Sequence, residues 1–108
     1  MGRHIIQRVI NHAQAFEDVE AIWSDPDSLI EVDFSRVEFA QAAGALIFSS
    51  GLQSLLRERP YAGIIALGVD MSIDAHSYLA HVGFFHHAGF ELETPAGRQR
   101  IYCLPPDH

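Results

Sequence analysis

From Ala62 to Val69 the chain reads Ala-Gly-Ile-Ile-Ala-Leu-Gly-Val, eight consecutive residues without a polar side chain. The run is far short of the ~20 apolar residues a membrane helix needs. Its length and its isoleucines suit a strand covered by helices on both faces or lying centrally in a sheet. The remaining segments therefore have to supply its partners and its cover.

They do so in alternation. Residues His4 to Ile10 carry Ile5, Ile6, Val9 and Ile10 among polar neighbours and read as a first strand. From His12 to Trp23, Ala15, Phe16, Val19, Ile22 and Trp23 recur at three and four residues and predict a helix with one buried stripe. Ser24-Asp25-Pro26-Asp27-Ser28 breaks it, and Leu29 to Phe34 forms a second strand. An Ala- and Leu-rich helix runs from about Gln41 to Arg59 and stops ahead of Pro60. Ser35-Arg36-Val37-Glu38 matches a capping box that would start this helix near Arg36, but Val37 and Phe39 alternate like a strand exit and favour the later start. Ser72 to His87 predicts a third helix ended by Ala88-Gly89, and Phe90 to Glu93 with Arg98 to Leu104 flank Pro95-Ala96-Gly97 as a hairpin. This order implies βαβ crossovers: a single α/β domain over residues 1–108, a mixed central sheet of about four or five strands, about three helices and a C-terminal β-hairpin.

Charge and cysteine usage narrow the function classes. Fourteen acidic residues against seven basic ones give a formal charge of -7, which repels phosphate backbones and anionic lipid surfaces. Nucleic acid and membrane are therefore not expected partners. The one cysteine, Cys103, allows no internal disulfide, and no long apolar segment follows Met1-Gly2-Arg3-His4, so a cytoplasmic protein is expected. Pro105-Pro106 reads either as a tail or as the start of a linker in a longer protein.

The segment Val32-Asp33-Phe34-Ser35-Arg36-Val37-Glu38-Phe39, followed by Gln41-Ala42-Ala43-Gly44 and a Leu-rich helix, resembles the central signature of the STAS (anti-sigma-factor antagonist) family. The order of elements is similar across roughly residues 4 to 90. The resemblance implies a regulatory protein-interaction domain of bacterial signalling, with a kinase-like ATPase, free or fused, as the partner. It also implies a partner surface around this helix start: Glu38, Phe39, Gln41, Ala43, Ile47 and Ser50. Two departures stand out. The position resembling the family's phosphorylated serine is Ala43, which has no hydroxyl, and the acidic residue ahead of it is replaced by Gln41. Phosphorylation cannot switch the site, while partner binding in a constitutive form can persist. The chain also finishes in a hairpin rather than in another helix.

A helical wheel puts Ala45, Phe48, Leu52, Leu55 and Leu56 of the second helix toward the sheet, with Ala43, Ser50, Ser54 and Arg57 opposite and Leu46 and Ile47 at the flanks. Isolated surface aliphatics are normal, and the family resemblance is what favours a partner there. On the third helix Ala75, Tyr78, Leu79, Val82 and Phe85 face inward, and His76, Ala80, Gly83, Phe84 and His87 outward, so Phe84 is read as an oligomer contact or as covered by the hairpin.

Catalytic chemistry is weighed and set aside. His76, His81 and His86 are five residues apart and so rotate by roughly 140° from one to the next, while His76 and His87 share a face but lie roughly 16 Å apart along a helix. Neither arrangement chelates a metal, and no cofactor is expected. Cys103 lacks a reactive-cysteine signature and reads as a buried apolar residue, no phosphate-binding glycine loop occurs, and Asp70 and Asp74 read as capping groups. Two other functions stay open: a small enzyme or ligand-binding protein using Asp33, Asp70 and His76 at the strand ends, and a homodimerisation domain built on Phe84 or the last strand's edge.

Overall fold

The computed structural model describes residues 2–94 and 97–100, with side chains from Arg3 to Glu91. Its elements are β1 (Gly2–Ile5), β2 (Val9–Ile10), α1 (His12–Trp23), β3 (Leu29–Asp33), β4 (Phe39–Ala40), α2 (Ala42–Glu58), β5 (Gly63–Leu67), α3 (Asp74–His81), α4 (Phe84–Ala88), β6 (Phe90–Thr94) and β7 (Gly97–Arg100). The main sheet has the order β1-β3-β5-β6-β7, parallel throughout except for β7, which runs antiparallel to β6. The α/β class, the five-stranded mixed sheet and the C-terminal strand pair match the sequence expectation. Pro95, Ala96, Cys103, the Ile101 to Leu104 end of the last strand and Pro105-Pro106 lie outside the described residues.

The apolar run sits at the centre. β5 is the third of five strands, flanked by β3 and β6, which settles the two readings of Ala62 to Val69 in favour of a central position. The sheet proceeds in one direction from β1 to β6, so right-handed crossovers place successive helices on one face. In agreement, α1 packs on α2 and α2 on α4. Ile30, Val32, Ile64, Ala66 and Phe90 are buried in the core beneath the helices, whereas Glu31, Asp33 and Glu91, which alternate with them, are partly exposed on the other face.

Two expectations are corrected. The predicted strand His4 to Ile10 is two strands: β1 joins the main sheet, while β2 pairs in parallel with β4 in a separate two-stranded ribbon. The bend lets Ile6 and Ile10 both enter the core. The predicted helix Ser72 to His87 is also two elements, because Gly83 adopts φ 77, a left-handed conformation that ends α3 and starts α4 on a new axis. The break turns Phe84 inward, while Phe85 is buried as expected. Phe84 and Phe85 are each 2% exposed, and with Phe34, Phe48 and Phe90 they form a cluster with ring centroids 5.2 to 6.2 Å apart. Phe84 is therefore a core residue and not an outward contact. Ahead of the break, Ala75 and Leu79 are buried as expected, but His76 is fully buried while Tyr78 and Val82 are exposed, the reverse of the expectation for these three. On α1, Phe16 is 58% exposed and stacks edge-on with His12 instead of joining the buried stripe.

Candidate functional site

Both α1 and α2 start from the β2–β4 ribbon, which ties the two helix entrances together. Glu38 and Phe39 N–H groups donate to the Arg8 carbonyl, Gln41 N–H donates to the Ile10 carbonyl, and the Arg8 guanidinium pairs with the Glu38 carboxylate. The Asn11 carboxamide caps α1 by accepting from Gln14 N–H at 2.8 Å. At α2 the equivalent position is Gln41, whose side chain makes no capping bond, and the first turn carries no acidic residue. Gly44 explains how α2 comes so close: a Cβ there would stand 2.6 Å from the Ile10 carbonyl oxygen and 2.8 Å from the Asn11 Cα. The glycine of the Gln41-Ala42-Ala43-Gly44 segment is thus required by backbone contact.

Around this entrance Glu38, Phe39, Gln41, Ala43 and Ser50 are exposed, whereas Ile47 is half-buried and packs on the core. Beside it lies a groove of about 260 Å³ lined by Ala42, Ala45, Leu46 and Ser49 of α2 and by Tyr78, Val82, Phe84 and His87 from the opposite wall. Leu46 is 67% exposed, and Val82 is 48% exposed. The volume lies below the ~300 to 1,000 Å³ of small-molecule sites, which suits one large apolar side chain of a partner better than a whole metabolite. The groove was not read from the sequence. Its signal is the spacing of Ala42, Ala45, Leu46 and Ser49, a second small-and-apolar stripe on α2 beside the core stripe. The opposite wall was hidden by the break at Gly83.

Asp33 ends β3, Asp70 follows β5 and His76 lies on α3, and their polar atoms bond to the protein itself. The Asp33 carboxylate accepts from Ser35 N–H at 2.8 Å and from Arg3 at 3.4 Å. Burial raises its pKa, yet the Ser35 hydrogen bonds and the Arg3 charge outweigh that effect and hold it below the usual carboxylate value. The Asp70 carboxylate accepts from the Ser72 hydroxyl at 2.7 Å and the Ser72 N–H at 2.9 Å, and these bonds lower its pKa. Gly68, at φ 69, brings the turn after β5 against Ser35 and Asp33, so that an added Cβ would stand 2.8 Å from Ser35 Cβ.

His76 links the two loops. Asp70 N–H donates to its Nδ1 at 2.9 Å, and its Nε2 lies 2.9 Å from the Val37 carbonyl, which can only accept. The ring is therefore neutral, with its proton on Nε2. The capping role expected of Asp70 is modified accordingly: it organises the turn ahead of α3, whose N-cap is Ile73. Asp74 lies in the first turn of α3, as expected. Among the described residues no group of three or more His, Cys, Asp or Glu side chains is placed to hold a metal ion, and no helix is long and apolar enough to cross a membrane. No family model, curated protein or solved structure matches the chain.

Proposed function

We propose that this chain is a non-catalytic regulatory interaction module that docks a partner protein on the α2 entrance and the groove beside it. The observation that carries the reading is Leu46, a leucine left 67% exposed on the rim of an apolar groove, one turn along α2 from exposed Ala42 and Ala43. The resemblance of Val32 to Gly44 to the STAS signature supports the same surface and names a kinase-like ATPase, free or fused, as the partner class. Ala43 makes the interaction constitutive, since no phosphate can be attached there.

The test is affinity capture with the wild-type chain, Leu46→Glu and Phe16→Glu, followed by identification of the captured proteins. Phe16, an aromatic residue of α1 that is 58% exposed, serves as the control. Capture of a kinase-like ATPase that Leu46→Glu abolishes and Phe16→Glu leaves intact is the expected result. Equal capture by Leu46→Glu and the wild type would remove the groove from the proposal.

A further inference from the structure

Resting on the groove as the partner site, we propose that His76 is a proton-operated latch: protonation of its imidazole releases α3 and dismantles one wall of the groove. The ring is fully buried and spans two loops that meet nowhere near each other in sequence, Val37 after β3 and Asp70 after β5. Both bonds depend on the neutral form. A proton on Nδ1 turns the acceptor into a donor facing Asp70 N–H, itself a donor, and places a charge where, among the described residues, no carboxylate is bonded to the ring.

The surrounding charges give the protonated ring one exit. The Asp70 carboxylate is within electrostatic reach of His76 but is engaged by Ser72 in the turn that leads into α3. Pairing it with a protonated His76 means taking that turn apart. Among the described residues, the other titratable or charged groups on the adjoining elements lie at exposed or engaged positions: Asp74, Tyr78 and His81 on α3 itself, Arg36 beside Val37, Glu38 paired with Arg8 from the β4 side, and His86 and His87 on α4, His86 half-buried. His4 shows the contrast. Its Nε2 lies 2.8 Å from an Asp25 carboxylate oxygen, so a proton on that ring strengthens its bond, whereas on His76 it breaks one.

The consequence falls on α3 because little else holds it. Only Ala75, His76 and Leu79 of its eight residues are buried, and its N-cap makes no side-chain bond. Tyr78 and Val82, which line the groove, are two and six residues beyond the latch. The fixed wall, α2, is seated by Gly44, Ala45, Phe48, Ser49, Leu52 and Leu55.

Hydrogen exchange of the full chain tests the latch without a partner. Between about pH 8 and about pH 5, protection of residues 74–82, corrected for intrinsic exchange, is expected to fall about tenfold while residues 44–56 keep theirs. His76→Asn, whose carbonyl can accept from Asp70 N–H but does not titrate, should keep residues 74–82 equally protected at both pH values. Protection of 74–82 that is independent of pH in the wild type, or that falls equally in His76→Asn, would overturn the latch. The capture experiment with Leu46→Glu addresses the groove separately, so the two readings fail by different measurements.

Discussion

The two walls of the groove are built by different means. α2 is one uninterrupted helix of 17 residues that reaches its neighbours through glycines: Gly44 on the Ile10–Asn11 backbone and Gly51, where an added Cβ would stand 2.6 Å from Val19. The facing wall is two short helices of eight and five residues, joined at Gly83 and held by phenylalanines on α4 and a histidine on α3. The first wall is fixed by backbone contact. The second is fixed at its α4 end and adjustable at its α3 end, a division that suits a binding surface whose shape has to depend on conditions.

The strongest way to break this contrast is at the α4 anchor. Phe84 contacts the rings of Phe34, Phe48, Phe85 and Phe90, so Phe84→Ala should cost about 3 to 5 kcal/mol in denaturant unfolding. A loss below about 1 kcal/mol would mean that the aromatic cluster does not anchor the wall. Next come the two glycines. Gly44→Ala forces a methyl group into backbone on which no side chain can yield, and should cost about 3 kcal/mol. Gly83→Ala has to hold a left-handed backbone without glycine's freedom and should cost about 1 to 2 kcal/mol. Urea midpoints of the two variants measure the order directly, and a larger loss at Gly83 would reverse the assignment of fixed and adjustable walls.

Acid separates the walls by range instead of by mutation. Asp25, through the Asp27 backbone hydrogen bond and then its pairing with His4, and Asp33, through Ser35 and Arg3, both have their pKa lowered from 3.8. For a carboxylate with a depressed folded-state pKa, the stabilisation is present above the unfolded value and is lost as pH falls through the folded one. Global unfolding should therefore begin below about pH 4, well under the range in which α3 opens. Asp18 runs the other way: burial raises its pKa, ahead of a smaller lowering by Gln14, and its Oδ2 is buried without a partner among the described residues, so it costs stability above its folded pKa and that cost disappears in acid. Circular dichroism across the acid range should show one transition in the carboxylate region, and a single transition covering both ranges would merge the two walls into one unit.

The same contrast explains what the sequence revealed. α1, β3, α2 and β5 were legible to within a residue or two because each carries an uninterrupted period: three and four for the helices, a solid apolar run for β5. Gly44 was visible as part of a motif, but its reason, the nearby Ile10 carbonyl, is a tertiary contact no pattern contains. On the other side, the wheel placed Ala75, Leu79 and Phe85 inward and His87 outward, as the structure has them, while the left-handed Gly83 divides the expected helix and turns Phe84 into the core. Phe84 and His76 went outward on paper and inward in the fold. Of the expected partner residues, Glu38, Phe39, Gln41, Ala43 and Ser50 are placed on the surface, while the groove next to them needed α3 and α4 in position before it could be seen.

The smallest expected effect is the sharpest test of which side of α2 is free. Leu46 and Ile47 are neighbours in sequence and were both assigned to the flanks of the outer face, but a 100° step separates them on the helix. Leu46 overhangs the groove at 67% exposure, whereas Ile47 packs against the core. Leu46→Glu should therefore change stability by no more than about 0.5 kcal/mol, while Ile47→Glu, which places a carboxylate against apolar side chains, should lose about 2 to 3 kcal/mol. Thermal melts of the two variants side by side read this out. Equal melting temperatures would mean that Leu46 is as engaged as Ile47, and the groove would then have no open leucine to offer a partner.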